Sequence, residues 1–436
     1  MELKKLILQS VIWRGLYFFT VLILNVLIAR YFKASGSGWI YFISNAYALI
    51  LLVASVSLES GMGFFASKNE VSTVKLLNLS MAWTFIVGLV VFVLSIIYVD
   101  KPDGSHPFDK RLFLVSSFSY VCGNILTGYC ASIFYARKNF ALPNMIFIFC
   151  NVLLVAVLWI TITGRMALLN ANSYLYIYFL AFLLQGLLVA SVLGFYSPGK
   201  WTPVLPSLEE LKKLLRYSLV AFAANVIFFF VYRVDYWFVK TYCSAEDLGN
   251  YIQVSKLGQL IITLPSIMAS AVFPMVAGGQ KEEVNRGLKR LSRISLIVIG
   301  ACCFSLAVTG KWIFPVIFGS TFSSMYHPFI LLIPGFLSIS ALYPLTAYYS
   351  GKNQMMVNIK GSLAALLFIM IADYIFIPRW GIRAAALISS MGYILYHAYV
   401  LMIFRKEYNT SLSGFFAIKR SDFVWMKDSL FTTMLK

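Results

Sequence analysis

Long apolar stretches, separated by short polar segments, run along nearly the whole chain. A helix needs about 20 apolar residues to cross a bilayer core of about 30 Å, and we find twelve stretches of that kind. Most of them contain no charged residue or only one, so the pattern predicts an all-α polytopic membrane protein. The predicted spans are 6–29, 40–66, 76–99, 112–136, 140–163, 174–195, 214–239, 249–277, 293–317, 326–349, 355–377 and 382–404.

The composition supports this prediction. Of 436 residues, 60% are hydrophobic and only 12% are charged, about half the charged share of soluble proteins. The net charge of +19 is not that of a nucleic-acid-binding protein, because the polar surface that would carry basic patches is missing. Lys and Arg in alternate loops, starting with the N-terminal one, outnumber those in the other loops by about two to one. The positive-inside rule then predicts that both termini are cytoplasmic.

The two halves of the chain share short sequence patterns. Leu3-Lys-Lys-Leu-Ile and Leu211-Lys-Lys-Leu-Leu each precede a span, while Gly38-Trp-Ile-Tyr and Gly249-Asn-Tyr-Ile each open the next one. Six helices per half give a parallel repeat, with a substrate site between two lobes. We predict lobes at 1–205 and 206–405. The tail at 406–436 is predicted to form an interfacial helix, with a disordered tail as the alternative.

No pattern typical of an enzyme is present. The chain has three His and lacks the GxSxG, HExxH and GxxxxGK[ST] signatures. A membrane glycosyltransferase or ligase would be expected to carry a large outer loop or a soluble domain. The six Cys lie almost all in apolar runs, with no metal-ligand spacing. We therefore expect no catalytic residues, no metal site and no cofactor.

Seven charged residues lie inside predicted spans, not counting those near span ends that we assign to the loops. An ionisable group at mid-bilayer costs about 3 kcal/mol, so such groups are expected to face water, a partner or a substrate. Helix direction places three of them in the cytoplasmic half of the membrane and four in the outer half, which is a pattern suited to a carrier that opens alternately to each side. The cytoplasmic group is Arg14, Glu59 and Lys360, and the outer group is Arg233, Asp235, Lys256 and Asp373.

Four of these residues are cations that could bind an anionic substrate. Arg14 is the strongest candidate because it lies roughly 12 Å along its helix and because Arg binds phosphate with a planar bidentate fork. The alternatives for Arg14 are a pair with Glu59 or a side chain that reaches the interface. The same alternatives, an interhelical pair or an interfacial ammonium group, apply to the other candidates, Arg233, Lys256 and Lys360.

Three of the residues are acidic and are candidates for coupling or gating. A buried carboxyl such as Glu59 can carry a proton in a transport cycle. Asp235 and Asp373 lie near the outer ends of their helices, where a structural contact between helices is the alternative. Arg233 and Asp235 are two residues apart and therefore face different sides of the helix.

Several motifs resemble those of the polysaccharide flippases, the Wzx-type branch of the multidrug/oligosaccharidyl-lipid/polysaccharide (MOP) exporter superfamily. The most specific is an Ile-Pro-basic-aromatic-Gly-Ile-x-Ala-Ala pattern in Ile375-Phe-Ile-Pro-Arg-Trp-Gly-Ile-Arg-Ala-Ala-Ala. The similarity covers residues 3–404. One departure is Tyr236, since most relatives have a basic residue after the acidic residue of helix 7. Supporting matches are Gly351-Lys-Asn-Gln, Phe318-Gly-Ser-Thr-Phe, Asp235, Leu248-Gly-Asn-Tyr and Phe273-Pro274.

The resemblance implies a MATE-like fold of two six-helix lobes around a cationic cavity that opens alternately to the two faces. The implied substrate is an undecaprenyl-pyrophosphate-linked oligosaccharide, moved across the bacterial inner membrane for O-antigen, capsule or exopolysaccharide synthesis. The implied partners are the lipid bilayer, that substrate, and a polysaccharide polymerase or other assembly proteins. Arg14 matches the place where these flippases tend to carry a cavity Arg.

Two other functions remain open from the sequence. One is a cation-coupled drug antiporter of the same superfamily, which would favour buried carboxylates; the basic excess among the charged residues in the spans argues against it. The other is a membrane scaffold for polysaccharide enzymes that transports nothing. A scaffold differs from a flippase in its response to substitution of Arg14, because that substitution would leave the activity of a scaffold intact.

Overall fold

The protein is helical throughout the part that its computed structural model describes, namely residues 3–99, 110–164, 170–197, 202–269, 281–352, 354–409, 411, 413–417, 419–420 and 422. No strand occurs in these residues, and a 3-10 helix covers Ser320–Met325. The α-helices are α1 (Leu3–Ser55), α2 (Leu58–Ser67), α3 (Thr73–Val99), α4 (Lys110–Ala136), α5 (Ala141–Thr163), α6 (Ala171–Tyr196), α7 (Leu208–Arg233), α8 (Asp235–Tyr242), α9 (Ala245–Ala269), α10 (Lys281–Phe318), α11 (Tyr326–Gly351), α12 (Met355–Tyr408) and α13 (Ser413–Phe416).

These helices account for the predicted spans. Within the described residues, 9 helical segments are long and apolar enough to cross a membrane. Two of them contain a non-helical residue, Lys33 in α1 and Gly381 in α12, and so comprise two spans each. Adding α9, whose first turns carry Glu246 and Asp247, gives twelve, which confirms the fold prediction. The chain is a multi-pass membrane protein; the placement of both termini in the cytoplasm stays a prediction.

Helix ends differ from the predicted spans where the helix continues into polar sequence. The ninth span was predicted to begin at residue 293, whereas α10 begins at Lys281. Its first turns alternate Lys and Arg with Leu on an amphipathic surface, so a count of apolar residues alone excludes them. The end of the eighth span, including Phe273 and Pro274, lies outside the described residues.

The second span is interrupted in its middle, which the sequence did not predict. Val56 and Ser57 have φ values of 49° and 52°, a left-handed conformation that is rare for a β-branched residue. The backbone carbonyls released there accept hydrogen bonds from side chains of other helices, from Trp83 Nε1 to Ala54 O (2.8 Å) and from Tyr129 Oη to Ser55 O (2.7 Å). Those bonds give the two carbonyl groups hydrogen-bond partners, which water cannot supply in an apolar surrounding.

Local sequence sets several helix starts. Ser207 and Glu210 form a reciprocal capping box before α7, with Ser207 N donating to Glu210 Oε2 (2.6 Å) and Glu210 N donating to Ser207 Oγ (3.2 Å). Asn170 caps α6 by accepting a hydrogen bond from Ser173 N (2.9 Å). Such caps satisfy amide groups that the first helical turn leaves free.

The chain forms two compact units. The first comprises Met1–Tyr31 and Ile43–Val226, and the second comprises Phe32–Phe42 and Ile227–Lys436. The predicted lobes, 1–205 and 206–405, stay a prediction, because compactness does not show which helices move together. Segment 32–42, which we predicted to belong to the first lobe, lies in the second unit.

Segment 32–42 packs closely against α9 within the second unit. Gly38 approaches Gly249 so closely that a Cβ on Gly38 would lie 2.7 Å from Gly249 N. Ala34 N donates to Thr321 Oγ1 (3.1 Å). Gly38 and Gly249 are the glycines that open the two matching sequence patterns, so the positions that repeat in sequence touch each other.

The described part of the C-terminal tail docks on the second unit. Phe415 of α13 is fully buried in a cluster with Phe404 and Leu288. Arg293 donates from Nε and Nη2 to the two carboxylate oxygens of Asp422 (2.7 and 2.8 Å). Hydrogen bonding by Arg293 holds the pKa of Asp422 below its ordinary value. Part of the predicted tail is thus a docked segment, and 423–436 lies outside the described residues.

Candidate functional site

Arg14 lies against the turn that joins α4 to α5. Its guanidinium carbon is 4.6 Å from the ring centroid of Tyr135 and 5.7 Å from that of Phe140. The two rings stack on each other at 5.4 Å with an interplanar angle of 20°. The Arg14 side chain is half-buried. A cation within about 6 Å of aromatic faces is stabilised by the ring quadrupoles, so this turn holds the charge in place without neutralising it.

The predicted alternative for Arg14, an ion pair with Glu59, does not form. Among the described residues, no carboxylate lies within 4.0 Å of the Arg14 guanidinium nitrogens. Glu59 occupies the first turn of α2, directly after the interruption at Val56 and Ser57. A carboxylate at that position is favoured by the positive end of the helix dipole, which offers Glu59 a stabilising interaction other than Arg14.

The face of α1 that carries Arg14 continues along α5. Tyr17 packs on Phe147 with ring centroids 5.3 Å apart. Three residues further, Thr20 Oγ1 accepts a hydrogen bond from Asn151 Nδ2 (2.9 Å). The spacing of three residues keeps these side chains on one side of α1. The first unit therefore places a cation, an aromatic ring and a hydroxyl in a row.

Arg233 and Lys256 are both cations of the second unit with aromatic partners. Lys256 Nζ is 3.2 Å from the ring centroid of Tyr41, and Arg233 Cζ is 4.9 Å from that of Phe229. Lys240 lies over Trp39 at 5.6 Å, so residues 39–41 of segment 32–42 supply rings to two lysines.

Asp235 begins α8 and is almost completely buried, with 2% of its surface exposed. Its Oδ2 accepts hydrogen bonds from Tyr251 Oη and from Ser389 Oγ (2.9 Å for Ser389). Its Oδ1 has no hydrogen-bond partner among the described residues. The hydroxyl groups come from α9 and α12, so three helices converge on this carboxyl group.

Asp373, in the first half of α12, is the second buried carboxyl group of this unit. It is fully buried, and neither of its oxygens has a hydrogen-bond partner within the described part of the chain. Its charge interacts with that of Asp235. Burial in an apolar region disfavours the ionised form of each carboxyl group unless a cation or a proton compensates its charge.

The structure thus groups some of the predicted residues and separates others. It buries Asp235 and Asp373 in the second unit and places Arg233 and Lys256 on aromatic rings there, whereas Lys360 is exposed on α12. No group of three or more His, Cys, Asp and Glu able to hold a metal ion occurs in the residues that the structure describes. We did not predict the partners of these charges from the sequence, because Tyr135 and Ser389 lie more than 100 residues from Arg14 and Asp235, respectively, and Tyr251 lies on a different helix from Asp235.

Interrupted helices, cations on aromatic rings and two buried carboxyl groups define a polytopic membrane protein with charged side chains inside its spans. The chain belongs to the family described as polysaccharide biosynthesis protein, which it matches over residues 46–327. No curated protein matches it in sequence.

Solved structures with the same fold come from the MOP superfamily. The lipid II flippase MurJ in an inward closed conformation has a TM-score of 0.71 at 17% identity, covering 98% of this chain and 92% of that chain. A MOP superfamily transporter from Pyrococcus furiosus has a TM-score of 0.65 at 13% identity, covering 93% and 96%. The Vibrio cholerae MATE transporter VcmN in its bent form has a TM-score of 0.63 at 12% identity, covering 95% and 98%.

These structures confirm the predicted fold, and the family match places the chain among polysaccharide biosynthesis proteins, as the predicted superfamily requires. The assignment to the Wzx-type branch stays a prediction. At these identities the solved structures show the fold alone, so the residues that bind a substrate or a coupling ion must be argued from this chain.

Proposed function

We propose that the protein is a flippase that moves an undecaprenyl-pyrophosphate-linked oligosaccharide across the bacterial inner membrane by alternating access. The product would supply the synthesis of a surface polysaccharide such as O-antigen, capsule or exopolysaccharide. The observation that best supports this proposal is the environment of Arg14. Its guanidinium lies within a membrane span, contacts two aromatic rings, and has no carboxylate at ion-pair distance in the described chain. Membership of a polysaccharide biosynthesis family and a fold shared with a lipid II flippase support the choice of substrate.

Arg14 suits the anionic part of such a substrate. A guanidinium remains charged at any physiological pH and presents parallel N–H groups that match two phosphate oxygens. The Tyr135 and Phe140 rings fix its position in advance, which lowers the entropy lost when a ligand binds. In this proposal the pyrophosphate binds Arg14, the lipid tail stays in the bilayer, and the glycan crosses in a polar path.

The second unit adds cations and a coupling site to this scheme. Arg233, Lys256 and Lys360 are proposed to contact the substrate at other stages of transport. Asp235 and Asp373 are proposed to take up a proton or a monovalent cation, because a buried carboxyl group with oxygens that lack hydrogen-bond partners among the described residues requires a compensating positive charge. Glu59 is proposed as a gating residue at the interrupted second span. Assembly with a polymerase stays a prediction.

The direct test is flipping of a fluorescent pyrophosphate-linked oligosaccharide by proteoliposomes that contain native protein, Arg14→Ala or Arg14→Lys. Arg30→Ala is the matched control, since Arg30 is an exposed residue on the same helix. We expect native protein and Arg30→Ala to flip the lipid, Arg14→Lys to flip it slowly, and Arg14→Ala to be inactive at equal folded yield. Equal rates for native protein and Arg14→Ala would refute the role of Arg14.

The buried carboxyl pair favours one alternative, a cation-coupled antiporter of organic cations. Asp235 and Asp373 would then bind the cationic substrate or its coupling proton in turn. The same proteoliposomes distinguish the two functions. Exchange of an organic cation for protons, with no movement of lipid-linked sugar, would replace the flippase by the antiporter, and the absence of either activity would favour a scaffold.

A further inference from the structure

The hydroxyl group of Tyr135 lies at the Arg14 site and has a fixed hydrogen-bonding direction. Asn144 Nδ2 donates to Phe140 O (2.7 Å) and lies 3.2 Å from Tyr135 Oη. Because a carbonyl oxygen can only accept, the bond to Phe140 fixes which side of the Asn144 amide is nitrogen. The amide therefore also donates to Tyr135, and the Tyr135 oxygen is the acceptor of that bond.

The hydrogen of the Tyr135 hydroxyl must therefore point away from Asn144. The Arg14 guanidinium also interacts with this hydroxyl, but Arg has donors only and cannot accept a proton from it. No hydrogen bond donated by Tyr135 Oη occurs among the described residues. The site thus contains a cation and an O–H donor side by side, with the ring of the same Tyr135 beneath the cation.

We infer that Tyr135 is a substrate-positioning and specificity residue, whose hydroxyl donates a hydrogen bond to the phosphate oxygen that Arg14 attracts. This inference rests on the proposed function and adds a second contact to it. Asn144 is buried, at 1% exposed, and acts through Tyr135 by occupying the acceptor side of the hydroxyl. The arrangement selects a phosphate ester or pyrophosphate over a neutral polyprenol, because hydrogen bonds from both donors are stronger to a charged oxygen than to a neutral hydroxyl.

The test is binding of a polyprenyl pyrophosphate and of the neutral polyprenol to purified full-length protein, together with flipping in proteoliposomes. Tyr135→Phe removes the hydroxyl and keeps the ring. A hydrogen bond to a charged group is worth about 1.5–3 kcal/mol, so we expect Tyr135→Phe to weaken pyrophosphate binding by about tenfold or more. Binding of the neutral polyprenol is expected to stay at its native level, which a general loss of structure would not allow.

Tyr217→Phe is the matched control. Tyr217 belongs to the same unit and stacks on Phe64 with ring centroids 4.5 Å apart, as Tyr135 stacks on Phe140, but it lies 40% exposed on α7. We expect Tyr217→Phe to bind and flip the pyrophosphate lipid as the native protein does. Tyr135→Leu, which removes ring and hydroxyl together, is expected to lose more binding than Tyr135→Phe.

The outcomes separate this inference from the proposed function. If Arg14→Ala abolishes pyrophosphate binding while Tyr135→Phe binds as tightly as native protein, the role of the hydroxyl is refuted and the flippase proposal stands. If Tyr135→Phe weakens binding of pyrophosphate and polyprenol equally, the residue is structural and the inference also fails. If native protein binds neither lipid, the proposed function fails and the inference fails with it.

Discussion

Arg14 of the first unit and Asp235 of the second hold intramembrane charge in different ways. In the first, Arg14 is half-buried, rests on aromatic rings and has no carboxylate partner in the described chain. In the second, Asp235 is almost completely buried and receives hydrogen bonds from Tyr251 and Ser389. A charge that remains accessible is suited to a ligand that enters and leaves, whereas an enclosed acid is suited to a small ion. In the proposed function, the main contact with the anionic substrate therefore lies in the first unit and ion coupling in the second.

The largest expected effect is on stability, and it is expected to differ between the enclosed Asp235 and the accessible Arg14. Asp235→Ala leaves two buried hydroxyls without their acceptor, and we expect the free energy of unfolding to fall by about 2–3 kcal/mol. Arg14→Ala removes a half-buried side chain and is expected to cost less than about 1 kcal/mol. Thermal unfolding of both variants in the same detergent measures the difference. Equal destabilisation would contradict the contrast between the two regions.

The next effect concerns the energy source. Asp373→Asn removes one of the two buried acids of the second unit and is expected to remove the response of flipping to an ion gradient or membrane potential. One charge moved through 100 mV is worth about 2.3 kcal/mol, so a native response of up to about fiftyfold would fall to none. Flipping rates with and without an imposed potential measure this effect. A variant that keeps the full response would show that coupling lies elsewhere.

The same Asp373→Asn variant should still bind the substrate. We expect its affinity for a pyrophosphate lipid to change less than about twofold, because the isosteric amide keeps the packing of α12. Arg14→Lys should show the reverse pattern, with weaker binding and an intact response to potential. Loss of both properties in both variants would show that the two regions are not separate.

A smaller effect is expected at the docked tail. Because Arg293 lowers the pKa of Asp422, their ion pair stabilises the protein fully above the ordinary carboxyl pKa of about 4, and this stability is lost as the pH falls through the lowered pKa. Asp422→Asn should cost about 1–3 kcal/mol at pH 7 and flatten the acid side of the stability curve. Unfolding midpoints from pH 3 to 7 test this, with the exposed Glu246→Gln as control. An unchanged acid side would refute the role of the pair.

The smallest effect is expected for Lys360→Gln. Lys360 is exposed on α12 and joins neither the cations on aromatic rings nor the acid pair. We expect less than about a threefold change in flipping, in line with a long side chain whose ammonium group remains hydrated. The rate of flipping at saturating lipid measures it. A loss as large as that of Arg14→Ala would move the centre of the binding site into the second unit.

The number of spans and the charged residues inside them could be predicted from the sequence, because a bilayer demands long apolar helices and makes charges within them conspicuous. The break between the last two spans could also be predicted from the sequence. It lies at Gly381, whose φ of 59° is a conformation that glycine tolerates. These features depend on local sequence, and local sequence was sufficient for them.

The partners of the charges could not be predicted in the same way. Trp83 and Tyr129, which stabilise the interruption of the second span, lie 29 and 74 residues from the carbonyls that they bind. Tyr135 is 121 positions from Arg14, and nothing in its own neighbourhood marks it as an aromatic support. Segment 32–42 joins the second unit through backbone contacts between glycines, which no pattern of side chains reports. Long-range packing determined these features.

The central claim is that Arg14 binds the anionic head group of a lipid-linked sugar that the protein flips. The most direct measurement is the flipping rate of a pyrophosphate-linked oligosaccharide in proteoliposomes with Arg14→Ala, relative to native protein and Arg30→Ala at equal reconstituted amounts. We predict a loss of at least about tenfold, the value of one charge-assisted hydrogen bond, for Arg14→Ala alone. Flipping by Arg14→Ala at the native rate would contradict the claim.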